Sequence, residues 1–303
     1  MKRILVIGDV MIDHYVYGSV ERISPEAPVP ILDVDKEEAF LGGAGVVAEN
    51  LKNLGAEVSF ISVIGDDDGA VLVKKFLAAS GIGNSLAMEK QRKSTLKKRF
   101  IATSPYFQML LRADNETRAD VKAATEAEII RNIRAQAADI IVLSDYNKGM
   151  MTKKVIAAAI AAAKEKGGKV IVDTKKNIHD YKGAYLVAPN VNELCIAMGM
   201  RPDNSDEVVR DNALRLATEL GSIVVVKRGA KGASIVDGNG MRTYPSEAKE
   251  IVNVSGAGDI FLAIVALAIA SGKSADDAVK LANRGCGRAI ARRHPSVTKE
   301  DLR

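Results

Sequence analysis

Tryptophan is absent from this chain of 303 residues, and aromatic residues make up only 4% of it. Proteins that bind single-stranded nucleic acid use aromatic side chains as stacking platforms for bases. The formal charge of +5 comes from 43 basic and 38 acidic residues that are spread widely along the chain. The composition therefore argues against nucleic acid as a partner and favours a phosphorylated small molecule.

Cysteine and histidine are also scarce. Cys195 and Cys286 are the only cysteines, and His14, His179 and His294 are scattered along the chain. This pattern matches neither a disulfide framework nor the ligand spacing of a zinc site. We therefore expect both cysteines to be free.

Long hydrophobic runs are missing as well. The apolar run at the N-terminus covers only residues 4–7 before Gly8-Asp9, too short for the core of a signal peptide. The longest run, residues 260–270, is shorter than a membrane span requires. We expect a cytoplasmic protein without membrane partners.

What the sequence does contain, from about residue 120 onward, is an alternation of short apolar runs and alanine-rich segments. The apolar runs predict buried strands at 140–143, 169–173, 185–187 and 223–226. Helical segments separate them, which is typical of parallel strands joined by helices on both faces of a sheet. The predicted fold class is therefore α/β with a mostly parallel sheet.

Polar residues follow several of these strands, at Gly8-Asp9, Ser144-Asp145, Asp173 and Lys227-Arg228. Ligands of open α/β sheets bind beyond the carboxyl ends of the strands, so these residues are expected to line one cleft. Asp9, together with Asp13, is a candidate for binding sugar hydroxyls.

Two segments depart from this pattern and predict a small second sheet. Residues 14–36 are broken by glycine and three prolines, which confine strands to edges or accessory sheets. Residues 94–114 are polar and contain Lys97, Lys98, Arg99 and Arg112. We expect these segments to form a β lid within a single domain, residues 1–303. An exposed apolar lid face further predicts a homodimer.

The segment Asn253-Val-Ser-Gly-Ala-Gly-Asp259 precedes the apolar run to Ala270 and predicts a glycine turn at the start of a buried helix. Unpaired N–H groups and the helix dipole make such a turn, here Gly256, Ala257 and Gly258, suitable for binding phosphate. A carboxylate at Asp259 would be repelled by that ligand. Its presence is explained if Asp259 takes a proton from an attacking hydroxyl; the alternative is an N-cap role.

The segment after residue 42 matches a dinucleotide-binding pattern. Gly43, Gly45 and Ala48 match G-x-G-x-x-A. In dinucleotide-binding proteins the glycines follow a strand directly. Here the charged residues 35–38 are expected to separate them from the preceding strand, which argues against dinucleotide binding.

A second pattern resembles the end of a Walker A loop, at Gly272-Lys-Ser274. The position of the first glycine of that loop is occupied by Leu267, within the apolar run. We therefore predict a glycine that ends one helix and an N-cap at Ser274 that begins the next.

Taken in order, the motifs resemble those of the PfkB (ribokinase-like) carbohydrate kinases: Gly8-Asp9, Gly42-Gly43, Pro189-Asn-Val-Asn-Glu193 and Gly256-Ala-Gly-Asp259. Within that family the chain is most similar to D-glycero-β-D-manno-heptose-7-phosphate kinases, through residues 22–30, 110–114 and 143–149. The resemblance covers nearly the whole chain and implies a ribokinase-like fold with a β lid. Because the sequence ends at Arg303, we expect the kinase without the nucleotidyltransferase domain of bifunctional members.

The resemblance implies transfer of a phosphoryl group from ATP, with Mg²⁺, to the anomeric hydroxyl of heptose 7-phosphate. Asp259 would be the base, and the N–H groups of residues 256–258 would hold the negative charge that develops on the phosphate. Asn190 and Glu193 would organise Mg²⁺, mostly through water. An ordinary acidic residue in the first turn of a helix is the alternative for Glu193.

Further positions follow from the same resemblance. The sugar would be bound by Asp13, Gly42, Gly43 and Asn50, and its phosphate by Arg112, Lys148 and Lys175. The nucleotide would be bound by Lys227, Arg228, Gly229, Gly232, Ser255 and Asn283. Arg284, Arg288 and Arg292 share one helix face, and we expect a solvated surface there rather than a further phosphate contact.

Two departures from the family pattern keep alternatives open. Val46 stands where the family usually has an asparagine that contacts the substrate, so a PfkB kinase for another sugar is the second hypothesis. A binding protein that has lost turnover is the third, and the intact Asp259 argues against it. His294-Pro295 replaces a glycine-containing loop near a monovalent cation in relatives, and K⁺ dependence is not predicted.

Overall fold

Two β-sheets with surrounding helices form the structure, a computed structural model that describes residues 2–292 and 296–303. The larger sheet contains β1 (Arg3–Gly8), β4 (Glu57–Ile64), β5 (Gly83–Met88), β8 (Ile140–Asp145), β9 (Lys169–Thr174), β10 (Leu186–Val187), β11 (Ile223–Lys227), β12 (Ala233–Asp237) and β13 (Gly240–Tyr244). Their order is β13-β12-β11-β10-β9-β8-β1-β4-β5. All neighbours from β11 to β5 are parallel, and β12 and β13 are antiparallel. The expected mostly parallel sheet is confirmed.

Helices cover both faces of this sheet. One face carries α1 (Ala44–Asn53), α2 (Asp68–Ala79), α7 (Ala257–Ala270) and α8 (Ala275–Ala289); the other carries α3 (Ala123–Ala135), α4 (Lys153–Glu165), α5 (Val191–Ala197) and α6 (Asp206–Leu220). Short 3₁₀ segments lie at Ile178–Tyr181, Gly229–Lys231 and Lys299–Leu302. In β1, Ile4 and Val6 join the core of the first face, and Leu5 and Ile7 join the core of the second. Since side chains alternate along a strand, a sheet covered on both faces requires apolar residues at successive positions.

The second sheet, the lid sheet, contains β2 (Val10–Ile23), β3 (Pro30–Gly43), β6 (Thr95–Ser104) and β7 (Gln108–Asn115), in the order β3-β2-β6-β7. It contains the expected lid segments but is larger, because β2 begins at Val10 and β3 continues to Gly43. Pro25 and Pro28 lie in the connection between β2 and β3, and Pro30 is the first residue of β3. Prolines at these positions do not interrupt the pairing of the two strands.

The charged residues 35–38 lie within β3, so the expectation that they separate Gly42-Gly43 from a strand is wrong. Gly43 ends β3, and α1 begins at the next residue. The dinucleotide-binding interpretation fails for a different reason. β3 pairs antiparallel with β2 in the lid sheet and is not a strand of the parallel sheet.

The predicted helix end at Gly272 and the predicted N-cap at Ser274 are confirmed. Gly272 has a φ of 85°, and the Ser274 hydroxyl accepts a hydrogen bond from the Asp277 N–H at 3.1 Å as the N-cap of α8. Gly272-Lys-Ser274 therefore connects two helices.

The strand register places several polar side chains on one face of the lid sheet. Asp13 pairs with Lys97, and Tyr15 pairs with Arg99 on the parallel neighbour. Arg99 in turn lies opposite Arg112 on β7. Because directly paired residues point to the same face, these side chains share one side of the sheet.

The lid sheet also exposes large apolar side chains. Val34 on β3 is 54% exposed, and Met109 and Leu111 on β7 are 53% and 59% exposed. β3 and β7 are the two edge strands of this sheet. Among the helices of residues 2–292 and 296–303, none is long and apolar enough to cross a membrane.

Candidate active site

Two cavities meet at the first turn of α7. The lid cavity, of about 430 Å³, lies between the lid sheet, α1 and α7, and Asp259 is part of its wall. The α8 cavity, of about 250 Å³, is lined by residues from 227–232 and 246–254 and from helices α7 and α8, and it includes Gly258. Because Gly258 and Asp259 are consecutive, a ligand in one cavity can approach a ligand in the other at this turn.

Asp259 is held at this junction by a buried helix. Gly256 precedes α7 with a φ of 78°, a conformation that glycine adopts without a steric penalty. The helix is buried at every position from Ile260 to Ala266, which fixes its first turn relative to the sheet. Asp259 is 4% exposed, and both of its carboxylate oxygens accept a hydrogen bond from the Tyr146 hydroxyl at 2.8 Å.

The surroundings of Asp259 give its carboxyl an unusual affinity for a proton. Burial and the nearby Asp173 carboxylate raise the pKa of Asp259 to about 7, although Tyr146, Lys227 and Lys175 act in the opposite direction. A general base works best when its pKa lies near the working pH. The position and the pKa of Asp259 are therefore those of a group that can accept a proton at neutral pH.

The N–H groups at the start of α7 are only partly available. The Ala257 N–H donates to the carbonyl of Val254 at 3.2 Å. Gly258 and Asp259 lie in the first turn, where helix geometry supplies no acceptor within the helix. Of the three residues expected to hold a phosphate, Ala257 has its N–H engaged within the protein in this state.

A network of charges lies under the junction of the two cavities. Asp173 is 5% exposed; its Oδ1 is 3.1 Å from Lys175 Nζ and its Oδ2 is 2.5 Å from Lys227 Nζ. Burial acts to raise the pKa of Asp173, but the two ammonium groups outweigh it and the pKa lies below its ordinary value. Lys175 also lies 2.6 Å from Glu193 Oε1, and the paired carboxylates hold its pKa above the ordinary value despite burial.

Asn190 and Glu193 form a capping box at the start of α5. The Glu193 N–H donates to Asn190 Oδ1 at 2.9 Å, and the Asn190 N–H donates to Glu193 Oε2 at 2.7 Å. Carboxylate and amide oxygens suit Mg²⁺, but these oxygens already have partners, so the pair fits a hydrated Mg²⁺ held through water. In the described part of the chain, no three His, Cys, Asp or Glu side chains cluster in a way that could hold a metal ion directly.

Asp9 lies beneath the lid cavity and holds a loop. Its carboxylate accepts hydrogen bonds from the N–H groups of Tyr146, Lys148 and Met150 at 2.9, 3.1 and 3.4 Å, and it is only 2% exposed. Burial, followed by the neighbouring Asp145, raises the pKa of Asp9 to about 6 against these hydrogen bonds. The carboxylate predicted to bind sugar hydroxyls is thus turned toward backbone N–H groups.

Asp13 and Gly43 line the lid cavity, and Gly42 lies beside Asp13 without lining it. Asp13 lies within β2, and its Oδ1 accepts a hydrogen bond from Arg99 at 2.6 Å. A Cβ atom at Gly42 would lie 2.6 Å from Asp13 Oδ2, and one at Gly43 would lie 2.6 Å from the carbonyl of Asp9. Glycine at these positions lets the strand pass directly beside the two aspartates.

Asn50 lies in the wall of the lid cavity, but its side-chain amide is hydrogen-bonded to other residues of the protein. Its Nδ2 donates to the Val46 carbonyl at 2.8 Å, and its Oδ1 accepts from the Val297 N–H at 2.8 Å. It is 3% exposed and joins α1 to the C-terminal segment. Val46 also lines the cavity, so an apolar group faces the space at that position.

The basic residues that line the lid cavity are not the ones predicted to bind the sugar phosphate. Lys97 and Arg99 line the lid cavity, whereas Arg112 is paired with Asp114 at 2.9 Å and is half-exposed beside it. Lys148 is paired with Glu116 at 2.5 Å and does not line the cavity. Lys175, the third cation predicted to bind the sugar phosphate, does not line it either and is paired with Asp173 and Glu193. Lys97 and Arg99 could have been paired from the sequence, because residues two positions apart in a strand such as β6 point to the same face.

The α8 cavity contains most of the residues predicted to bind the nucleotide. Lys227, Gly229, Gly232 and Asn283 line it, and the Asn283 amide donates to the Tyr244 carbonyl at 2.9 Å. Its other wall is apolar and contains residues that the sequence analysis did not assign to nucleotide binding, namely Ile251, Val254, Phe261, Cys286 and Ile290. Burial raises the pKa of the Cys286 thiol to about 12, and both cysteines are free.

Two of the predicted nucleotide residues lie outside this cavity. The Arg228 guanidinium is buried and donates to Asn204 Oδ1, the Asn204 carbonyl, Asp206 and Ser234 at 2.7–3.1 Å. Ser255 is exposed and lines the lid cavity. Nothing in the sequence around Arg228 indicates these contacts, since its partners Asn204 and Asp206 are more than twenty residues away along the chain.

Other expected features lie at the margins of the site. Arg284, Arg288 and Arg292 are paired with Glu247, the Glu300 carbonyl and Asp301. His294 and Pro295 lie outside the described residues. A larger cavity of about 870 Å³ lies near the amino ends of β9 to β11, and none of the predicted site residues, all of which the structure describes, lines it.

The sequence matches the pfkB family of carbohydrate kinases over residues 1–299. It is 40% identical over 304 residues to bifunctional protein HldE of Paramagnetospirillum magneticum, which covers 98% of this chain and 62% of that protein. It is 38% identical over 296 residues to bifunctional protein HldE of Sulfurimonas denitrificans, which covers 96% of this chain and 61% of that protein. The chain thus spans about three fifths of the length of the curated relatives it matches.

Solved structures share the fold. Phosphofructokinase-2 from Escherichia coli in complex with potassium superposes with a TM-score of 0.83 at 19% identity, covering 100% of this chain and 97% of that one. Arabidopsis thaliana ribokinase complexed with ribose and ATP gives a TM-score of 0.75 at 17% identity, covering 100% and 98%. At these identities the likeness establishes the ribokinase-like fold, and the family match extends over almost the whole chain. The chain therefore belongs to the pfkB family and is an ATP-dependent carbohydrate kinase.

Proposed function

We propose that the protein transfers the γ-phosphoryl group of ATP to the anomeric hydroxyl of D-glycero-D-manno-heptose 7-phosphate. The observation that carries this proposal is the lid cavity, where Lys97 and Arg99 line the same space as the buried carboxylate of Asp259. A sugar with a phosphate at the end remote from its reacting hydroxyl suits such a space. The similarity to HldE proteins at about 40% identity supports a heptose phosphate as that sugar.

In this proposal Asp259 takes the proton of the attacking hydroxyl. The sugar oxygen forms a bond to the γ-phosphorus, the bond from that phosphorus to the bridging oxygen breaks, and ADP leaves with the bonding electrons. The first-turn N–H groups of Gly258 and Asp259 and the ammonium of Lys227 stabilise the negative charge on the transferred group. The pKa of about 7 supports Asp259 as the base.

The remaining roles follow the two cavities. ATP occupies the α8 cavity with its base toward Asn283, and its phosphates approach Lys227 and Lys175, which are released from Asp173 as they bind. Asn190 and Glu193 would hold Mg²⁺ beside the phosphates through water. When bound, the ion neutralises phosphate charge.

The proposal also covers the domain organisation, the location and the oligomeric state of the protein. Residues 1–303 act as one kinase domain, and its expected cytoplasmic location is retained. The exposed apolar side chains on the edge strands of the lid sheet support a homodimer formed through the lid.

A panel of acceptors tests the activity. ATP consumption is measured with heptose 7-phosphate, fructose 6-phosphate, ribose, fructose and adenosine, and we expect kcat/KM to be highest for heptose 7-phosphate. Phosphorus NMR of the product should show a new phosphate at the anomeric carbon. Faster turnover of another sugar would leave a carbohydrate kinase with a different substrate, as Val46 allows.

Lys97→Met tests whether the lid cation recognises the substrate phosphate. Lys97 faces the cavity, and burial lowers its pKa although Asp13 partly offsets this effect. We expect KM for the sugar phosphate to rise by on the order of tenfold or more, as for loss of a charge-assisted hydrogen bond, with KM for ATP unchanged. Lys98→Met is the matched control, because Lys98 lies on the opposite face of β6. Equal effects of the two substitutions would contradict the assignment.

A further inference from the structure

Tyr146 is hydrogen-bonded to Asp259 through its hydroxyl and has no role in the proposed phosphoryl transfer. Its hydroxyl lies 2.8 Å from both Oδ1 and Oδ2 of the carboxylate. A phenol has a single proton, so the two oxygens share one donor. Sharing of this kind fixes the plane of the carboxylate as well as its distance from the ring. Each carboxylate oxygen retains further acceptor capacity for a substrate hydroxyl.

The position of Tyr146 is itself fixed from several sides. Its N–H donates to Asp9 Oδ2 at 2.9 Å, which ties it to the end of β1. Lys97 and Lys175 each place an ammonium 5.8 Å from the centre of its ring, one from the lid and one from the end of β9. A Cβ atom at Gly43 would lie 3.4 Å from Tyr146 Cδ2, so the ring packs against the glycine turn. The hydroxyl is therefore presented to Asp259 by a rigid support.

We propose that Tyr146 is the positioning residue of the base, holding the Asp259 carboxylate in one orientation toward the lid cavity and in its charged form. This inference rests on the proposed function, in which Asp259 is the base. It gives Asp9 a purpose as well, since Asp9 anchors the loop that carries Tyr146. The motif Leu143-Ser-Asp-Tyr146 thereby acquires a physical role that its place in the sequence does not reveal.

The charge balance around Asp259 explains why such a donor is needed. Charged and titratable groups face Asp259 from every element packed around it. From the large sheet these are Asp173 in β9, Lys175 just after β9, Lys227 in β11 and Tyr146 just after β8, and from the lid sheet they are Asp13, Lys97 and Arg99. Glu193 of α5 acts through its ion pair with Lys175, and the Cys286 thiol of α8 donates to the Ala257 carbonyl. Burial and Asp173 favour the protonated carboxyl, while the Tyr146 hydrogen bond favours the carboxylate. Removing that hydrogen bond shifts the balance toward a protonated group, which cannot accept a proton from the substrate.

Tyr146→Phe tests this role, because it removes one oxygen atom and keeps the ring between the two lysines. We expect the acid limb of the pH profile of kcat to move to higher pH by about one unit, with a loss of kcat at neutral pH that shrinks at high pH. The KM values for the sugar phosphate and ATP should change by less than about threefold. A loss of kcat that is the same at every pH, with the limb unmoved, would overturn the proposal.

Tyr181→Phe is the matched control. The Tyr181 hydroxyl is buried and donates to Asp145 Oδ2 at 2.6 Å, so the substitution removes the same atom from a phenol–carboxylate pair outside the lid cavity. We expect a lower melting temperature and an acid limb at the wild-type position. A limb that moves equally in Tyr181→Phe would overturn the specific role of Tyr146.

A measurement without turnover separates this inference from the proposed function. Urea unfolding at pH 8 is compared for wild type, Tyr146→Phe, Asp259→Asn and the double variant. Direct contact predicts that the two single effects are not additive, whereas independent sites add. Additivity would overturn the Tyr146–Asp259 contact. If the wild type phosphorylates no sugar of the panel, the proposed function fails and the cycle still decides whether Tyr146 holds Asp259.

Discussion

Asp259 illustrates how a functional residue can oppose the stability of the fold that carries it. Its carboxylate is buried beside Asp173, and its pKa of about 7 lies well above the ordinary value of 3.8. The folded state therefore binds a proton that the unfolded chain releases near pH 4. Stability from this group is present below pH 4 and is lost as the pH rises through 7.

Asp259→Asn should therefore reduce activity and raise stability together. The amide cannot take a proton, so we expect kcat to fall by on the order of 10²-fold or more while ATP binding is retained. At pH 8 the variant avoids a buried charge, a change on the order of a few kcal/mol, and should melt at a higher temperature than wild type. The paired charges of Asp173, Glu193, Lys175 and Lys227 remain balanced without it.

The pH dependence of that difference is the decisive measurement. Melting curves from pH 4 to pH 9 should show an advantage for Asp259→Asn that is largest above pH 7 and shrinks toward pH 4, where wild-type Asp259 is protonated in the folded state and about half protonated in the unfolded chain. An advantage that is independent of pH would show that the charge of Asp259 is not its cause. Wild-type turnover in the variant would remove Asp259 from the role of base.

At the scale of elements, α8 shows how a glycine can shape a binding cavity. A Cβ atom at Gly287 would lie 2.9 Å from the Ala248 nitrogen and 3.0 Å from the Glu247 carbonyl carbon. The loop at 247–248 therefore lies directly on the helix, and Ala248 and Gly287 both line the α8 cavity. Alanine is the better helix former by up to about 1 kcal/mol, so the glycine is retained at a cost to helix propensity.

Gly287→Ala should accordingly weaken nucleotide binding. The backbone of the loop must move away from α8, which changes the wall of the cavity proposed for ATP. We expect KM for ATP to rise several-fold and KM for the sugar phosphate to stay the same. Gly238→Ala is the control, since a Cβ atom there meets no atom within 4 Å. An unchanged KM for ATP would contradict the placement of the nucleotide.

The elements also show what the sequence could and could not predict. α7 was predictable because it is apolar at almost every position, and β1 because both faces of its sheet are covered. β2 and β3 were harder, because their lengths depend on pairing with each other and their sequences contain prolines and the charged residues 35–38. The strand β10 has only two residues and is defined by its pairing with β9 and β11, which the sequence of those two residues does not indicate.

The same distinction applies to the site. Glycine turns and strand ends are local signals, and they located Asp259, Gly43 and Lys227. Whether a side chain faces the cavity or the protein depends on partners distant in sequence. Asn50 is hydrogen-bonded to Val297 and Asp9 to the loop at 146–150. Because these partners are far away along the chain, the sequence alone could not show that the two side chains face the protein.

At the scale of the whole molecule, the lid sheet presents a surface that one chain does not cover. β7 is an edge strand on which Leu111 is more than half exposed, and Phe100, opposite Leu111 on β6, continues the same face. Apolar side chains beside an unpaired strand edge are typical of a protein interface. The face that carries Arg99 and Arg112 is the opposite one, so an interface here leaves the cation face of the lid free.

Leu111→Asp tests the homodimer. A charge in the middle of this face should convert a dimer into a monomer in light scattering at micromolar concentration, because an unpaired carboxylate at an interface costs several kcal/mol. Ile196→Asp is the control, since Ile196 is 70% exposed on α5, away from the lid. A monomeric wild type, or a Leu111→Asp variant that remains dimeric, would contradict association through the lid. A dimer lost only in Leu111→Asp would place the second copy on the lid, where its contacts restrain the strands that carry Lys97 and Arg99.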